Sequence, residues 1–176
     1  MSGLSGRPIS RRAVLAGAGV AGLAILLPGS RSASASTRIG DLELDLPAGL
    51  SEQPAAAYGN GWQWAAARGT RATVLARADL DSTSTSEILG LLLAGTIAGD
   101  LPGLRLGEVA HRAMAGGEQI RVEVTYGPTD PASRRHGVIL IAVRPTPPAA
   151  VVAVLGDQTL TAGTIAAVLD SVRWAQ

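Results

Sequence analysis

The chain has 176 residues, with 15 basic and 14 acidic side chains, no cysteine, no phenylalanine and two histidines. That length supports one domain with a core of its own. All the basic residues are arginine, which together with abundant alanine and glycine is what a GC-rich genome encodes. The missing cysteines exclude disulfides, thiol nucleophiles, iron–sulfur clusters, thiolate zinc sites and a lipidated N-terminal cysteine.

Residues 1–35 form an export leader in three parts. Residues 1–12 are polar and carry Arg7, Arg11 and Arg12 without an acid. Residues 13–27 (AVLAGAGVAGLAILL) hold no charge, and Pro28 and Gly29 break any helix there. Residues 30–35 (SRSASA) are small and polar, and Ala33 and Ala35 suit the narrow subsites of signal peptidase. Cleavage is expected between Ala35 and Ser36. The run Ser10-Arg11-Arg12-Ala13-Val14-Leu15 resembles the twin-arginine signal, with Val14 where phenylalanine is commonest. Gly17, Gly19 and Gly22 dilute the apolar run, as is typical of that route, and Arg31 resembles the charges said to disfavour the general secretory channel. The alternatives are an ordinary secretory signal or a membrane anchor. Fifteen apolar residues fall short of the roughly 20 that span a bilayer.

Cleavage would remove four arginines, leaving 11 against 14 acidic residues and a formal charge of −3. A mildly acidic domain without a basic run has no electrostatic footprint for nucleic acid.

The remainder, 36–176, reads as a single domain. After a polar lead-in at Ser36 and Thr37, residues 39–46 (IGDLELDL) alternate with a period of two, as a strand with one wet face does. Residues 61–67 (GWQWAAA) read as a second strand that puts Trp62 and Trp64 on one side. Residues 70–80 (TRATVLARADL) alternate again, with Ala72, Val74, Ala76 and Ala78 inward and Arg71 and Arg77 outward. Ser84 and Glu87 make a capping box for a helix over 87–98, whose apolar residues on nearly every side predict deep burial.

Beyond the turn at Asp100-Leu101-Pro102-Gly103, strand follows strand. Residues 104–113 lead through Gly116-Gly117 into 118–126 (EQIRVEVTY), with Ile120, Val122 and Val124 inward and Arg121, Glu123 and Thr125 outward. Residues 127–135 form an exposed loop. Residues 137–143 (GVILIAV) and 149–155 (AAVVAVL) are continuous apolar runs, the pattern of strands covered on both faces. A last helix over 162–172 presents Ile165, Val168, Leu169 and Val172 on one face, and Trp174 closes the core edge. The fold class is α+β, with about seven mainly antiparallel strands and two packed helices.

In this order the elements resemble the PsbP-like superfamily, and most of all the LpqN-type exported proteins of actinobacteria. The matching pieces are the strand closed by Leu46-Pro47-Ala48-Gly49, the helix ending in Leu101-Pro102-Gly103, and Gly116-Gly117 before the 120–126 strand. Two apolar strands and a helix running into Asp170-Ser171-Val172-Arg173-Trp174 complete them, so the resemblance covers residues 38–176. It implies a sheet with helices on its faces and a binding or accessory role rather than catalysis. It supplies no catalytic motif and no cofactor to carry over.

Candidate chemistry is sparse. His111 and His136 lack an HExxH spacing and would hold a metal only by meeting across the sheet with a carboxylate such as Glu108 or Asp130; no metal is expected. No G-x-S-x-G nucleophile motif occurs, and Gly59-Asn60-Gly61 and Gly116-Gly117 read as turns without the lysine of a phosphate loop. Trp62 and Trp64 are either an exposed platform for a sugar or peptide or, more commonly for such residues, cover for the core. Arg134, Arg135 and His136 sit in a loop, where binding groups concentrate, or else form a solvated turn. The sequence reading is an exported, non-enzymatic binding or accessory domain acting on an unknown protein or small molecule, without a stable membrane span after cleavage. The twin-arginine translocase and signal peptidase are its partners during export. The alternatives are an exported hydrolase or other enzyme with an unrecognised site, and a purely structural envelope protein.

Overall fold

A computed structural model describes residues 35–58, 61–69, 72–95, 101, 103–156 and 160–176. The arginine pair Arg11–Arg12, the apolar leader segment and Ala33 lie outside them. In chain order the described elements are β1 (Ala35–Ile39), β2 (Leu42–Leu46), β3 (Ser51–Gln53), β4 (Trp64–Arg68), β5 (Ala72–Leu80), α1 (Thr85–Leu93) and β6 (Arg105–Met114). They continue with β7 (Gly117–Tyr126), β8 (Arg135–Val143), β9 (Ala149–Gly156), α2 (Ala162–Ser171) and β10 (Arg173–Trp174).

Seven of these strands form one antiparallel sheet in the order β3-β4-β5-β9-β8-β7-β6, and β1-β2-β10 form a second, smaller one. The two continuous apolar runs become β8 and β9, neighbours near the middle of the large sheet. Each has a buried side chain on both faces. Ile139, Ile141, Val151 and Ala153 enter one core with Ile88 and Leu92 of α1. Leu140, Ala142, Val152 and Val154 enter the other with Leu42 and Leu44 of β2 and Val168 and Leu169 of α2. A strand without a polar face must be covered twice, so the molecule has three layers: α1, the large sheet, and α2 beside the small sheet.

Helix α1 starts as the sequence suggests but with one extra group. The Glu87 amide donates to Ser84 Oγ at 3.3 Å. The return arm of the box runs through Ser82, whose hydroxyl donates to the Glu87 carboxylate at 2.7 Å and accepts from the Ser84 amide at 3.0 Å. The expected span of 87–98 and its deep burial need correction. The helix ends at Leu93, because Gly95 adopts φ +74° and its amide bonds back to the Leu92 carbonyl, a left-handed C-terminal cap. Ile88 and Leu92 are buried, whereas Leu93 is 60% exposed.

Three strands escape the sequence reading. Ser36 and Thr37, expected as a lead-in, belong to β1, which pairs with β2 from Ala35↔Leu46 to Ile39↔Leu42 around the Gly40-Asp41 turn. β3 is three residues long and β10 two. β10 joins the opposite edge of β2 through Arg173↔Glu43 and Trp174↔Leu42, so both ends of the domain pair with the same strand. Arg173 reinforces the join by contacting Glu43, Asp45 and the Ser36 hydroxyl. Trp174 packs under Arg144, whose guanidinium carbon lies 4.8 Å from the ring centre.

The expected common side for Trp62 and Trp64 is also corrected. Gln63 bends the chain before β4: its amide donates to the Ala76 carbonyl and its side chain accepts from the Ala78 amide at 2.9 Å. Trp62 falls into the α1-side core and Trp64 into the α2-side core.

Two glycines give opposite tests of this packing. A Cβ at Gly117 would lie 2.1 Å from the Val143 carbonyl oxygen, whereas one at Gly90, within α1, meets nothing within 4 Å. Gly117→Ala should therefore lower unfolding stability by about 3 kcal/mol, the upper end of overpacking costs. Gly90→Ala should raise it by about 1 kcal/mol. Urea denaturation reads both; a Gly117→Ala protein as stable as the parent would contradict the β6–β7–β8 packing.

Candidate functional site

The layers do not cover the large sheet evenly. On its second face, α2 packs over β8 and β9 and against β2, while the small sheet covers β4 and β5. Strands β7 and β6 run out beyond this cover. Along β7 the even-numbered side chains Ile120, Val122, Val124 and Tyr126 are buried toward α1. The odd-numbered Arg121, Glu123 and Thr125 face the α2 side, so the alternation read from the sequence holds.

What lies on that outward face is a groove. Its walls are Glu108, Ala110 and Arg112 of β6 and Arg121 and Glu123 of β7 on one side, with Ala162, Ile165, Ala166 and Leu169 of α2 on the other. The α2 residues are spaced i, i+3, i+4 and i+7, one helical stripe, and two of them are alanines, which leaves room. The volume there is about 340 Å³. An adjoining cavity of about 380 Å³ shares Glu123, Val138, Ala162 and Ile165 and continues to Arg105, Thr125 and His136. Each falls at the small end of ligand-site volumes.

The groove is amphipathic across its width. The α2 wall is apolar, and the strand side carries cations and anions side by side. Arg121 is anchored to α2 through Asp170 at 2.7 Å and its side chain is 11% exposed, while its Nε has no acceptor among the described residues. At Gly107–Glu108 the β6–β7 register slips by one residue between Leu106↔Val124 and Val109↔Val122. The bulge turns Glu108 into the groove. Gly107 allows this approach, since a Cβ there would stand 3.2 Å from the Glu123 Cβ.

The residues singled out from the sequence are dispersed. Trp62 and Trp64 are 7% and 8% exposed, so neither offers a ring face and the platform reading is corrected to core packing. Arg134 donates to the Gly103 carbonyl and, at 3.2 Å, to the Thr125 carbonyl, pinning its loop to the Gly103 turn and to the end of β7. Arg135 is exposed opposite Tyr126. His136 reaches the groove at its far end, and Glu108 lines its β6 wall. His111 pairs with Ile120 and His136 with Thr125, on opposite faces of the sheet, so the two histidines do not meet. Asp130 is turned into its own loop, accepting from the Ala132 amide and the Ser133 hydroxyl. The groove residues Arg105, Arg112, Arg121 and Glu123 were not singled out, and Glu108 was named only as a carboxylate for a histidine metal site. Their one sequence signal is the charged outward row of β7 opposite a helix stripe containing Ala162 and Ala166.

Arg134 and Arg135 separate a pinned residue from a free one. Arg134→Ala should cost about 2 kcal/mol, because a charged donor to two carbonyls is lost. Arg135→Ala should stay within about 0.5 kcal/mol of the parent. Thermal and urea unfolding of the two variants side by side measures the contrast.

No family model and no curated protein matches the chain. Among solved structures, the solution structure of cyanobacterial PsbP (CyanoP) from Synechocystis sp. PCC 6803 superposes with a TM-score of 0.57 at 10% identity, covering 89% of this chain and 98% of that one. A crystal structure of a Pseudomonas aeruginosa protein of unknown function, PA94, matches 69% of this chain and 81% of its own at 12% identity, with a TM-score of 0.37, too low to bear on the fold. The α+β architecture of this chain, two helices on a large antiparallel sheet, is the PsbP-like fold.

Proposed function

We propose that the chain is an exported, non-enzymatic binding or accessory domain of the LpqN type, delivered by the twin-arginine route, and that the groove between α2 and β6–β7 is its binding surface. The observation that carries the binding reading is the groove itself: an apolar helix stripe faces a charged strand pair across about 340 Å³. Such a site suits a ligand with one apolar side and polar groups along the other, whether a small amphipathic molecule or a partner's extended segment.

The export reading rests on Ser10-Arg11-Arg12 and the leader behind it. In the small sheet β1 and β10, from opposite ends of the domain, flank β2, so the sheet is complete only when both are present. Cleavage after Ala35 would fall at the first residue of β1, on the outer edge of that sheet, where one strand end lifts without disturbing the large sheet.

A second reading, an exported hydrolase, has one observation in its favour: His136 and Glu123 line the same cavity on adjacent strands. Turnover of a panel of esters, glycosides and peptides, abolished in both His136→Ala and Glu123→Gln, would establish it over the binding domain.

Native mass spectrometry of the protein recovered from its host tests the first reading. The expected mass starts at Ser36 and carries a bound ligand; Ala166→Trp, which fills the groove, should fold normally and lose the added mass. A ligand retained by Ala166→Trp would move the binding site elsewhere. Changing Arg11 and Arg12 together to lysine should block export, and export indifferent to that change would remove the twin-arginine route.

A further inference from the structure

Strand β6 ends the large sheet: β7 takes one side of it, and among the described residues no strand takes the other. It is ten residues long and exposed along most of its length. Val109 is one of two large apolar side chains standing well exposed among the described residues, at 42%. An open edge of this length is a template for another strand, and its sequence specifies which one.

We propose that β6 pairs antiparallel with β6 of a second copy of this chain, about a two-fold axis at Ala110. Residues directly opposite each other in a sheet share a face, and a two-fold axis perpendicular to the sheet keeps each face with itself. Only registers whose paired residue numbers have an even sum are therefore allowed. Centring on Glu108 sets Glu108 against Glu108, and centring on Arg112 sets Arg112 against Arg112; both oppose like charges. Centring on Val109 or His111 leaves Glu108 and Arg112 facing neutral residues.

Centring on Ala110 places Glu108 of each copy opposite the partner's Arg112, twice, on the groove side. It also places Val109 opposite the partner's His111 on the other face, and the small Ala110 opposite itself at the axis. The pairing window begins at the Gly107–Glu108 bulge, which breaks the regular edge before Leu106. The bulge thus limits the pairing to 108–112, since residues 113 and 114 would have to pair with 107 and 106 of the second copy.

The dimer goes beyond the choice of ligand, and it alters the site. Glu108, Ala110 and Arg112 line the groove, and the axis keeps both grooves on one side of a continuous sheet. The two cavities then meet at Ala110, and each Glu108 has the partner's Arg112 beside it. The groove is completed by the second copy.

Charge reversal tests the register and leaves the groove's ligand out of the measurement. Glu108 and Arg112 are exposed, so the single variants should keep their fold, which circular dichroism checks. In sedimentation velocity the parent protein should be a dimer over a concentration series. Glu108→Arg and Arg112→Glu should each be monomeric, because each sets like charges opposite one another. An equal mixture of the two, and the double variant Glu108→Arg/Arg112→Glu, should dimerise again.

The chain has no cysteine, which allows an independent measurement. Paired residues in antiparallel strands have Cα atoms about 4.5–5.5 Å apart, within disulfide range. Ala110→Cys should therefore cross-link to a covalent dimer under mild oxidation. Ala113→Cys should not, since in this register the two Ala113 positions stand roughly 20 Å apart along the strands. A parent protein that is monomeric at every concentration would overturn the proposal. So would single variants that still dimerise, single variants that neither the mixture nor the double variant rescues, or cross-linking through Ala113→Cys in place of Ala110→Cys.

Discussion

Everything in this fold follows from β8 and β9 having no polar face. Ile139, Ile141, Val151 and Ala153 need cover on one side, and Leu140, Ala142, Val152 and Val154 need it on the other. Among the described residues, two short helices and one small sheet supply that cover. Helix α1 serves the first side; α2 and β1-β2-β10 divide the second. That cover reaches β4 and β5 through the small sheet but ends at α2 on the opposite flank. The groove beside α2 is therefore a consequence of allocation: two strands at the far end of the sheet extend past the last covering element.

The same shortage explains the composition of those strands. β7 is apolar toward α1 and charged toward the groove, a face made for water or for a ligand. β6 is charged or small at most positions; of its larger apolar residues Leu106 and Met114 pack against the cores while Val109 stands exposed. Arg121 joins the two regimes by reaching from β7 to Asp170 on α2, which fixes the width of the groove at its base. Partial exposure of Asp170 means the pair contributes modestly to stability, and its larger effect is to hold the helix at one distance from the strand.

Much of the architecture was legible in the sequence because it is written in local periodicity. The alternation of 118–126, the apolar runs of β8 and β9, and the Ile165, Val168, Leu169 stripe of α2 each reflect one element meeting one layer. β1 was not legible, since Ser36, Thr37 and Arg38 carry no apolar alternation and owe their extended form to β2. β3 and β10 are too short to show a period. Trp62 and Trp64 misled because a period of two assumes an unbroken strand, and Gln63 breaks it with bonds to Ala76 and Ala78. Arg134 looked like a binding residue because its acceptors, at Gly103 and Thr125, are distant in sequence. The groove was the hardest to read, because it is made by the absence of cover over residues on four elements.

The shared pairing of β2 has a mechanical side. β1 and β10 run in the same direction along its two edges, and the open end of the β1–β2 hairpin lies at Ala35 and Leu46, with its turn at Gly40 and Asp41. A pull on the N-terminus directed away from β2 therefore opens the hairpin from its free end, one residue pair at a time, whereas a pull along the strand axis loads all five pairs together. Either way the five pairs of this edge strand take the load first, while β2 stays fastened on its other edge through β10. With one strand partner and five pairs to hold it, β1 is the element of the small sheet that a pull at the N-terminus loads first.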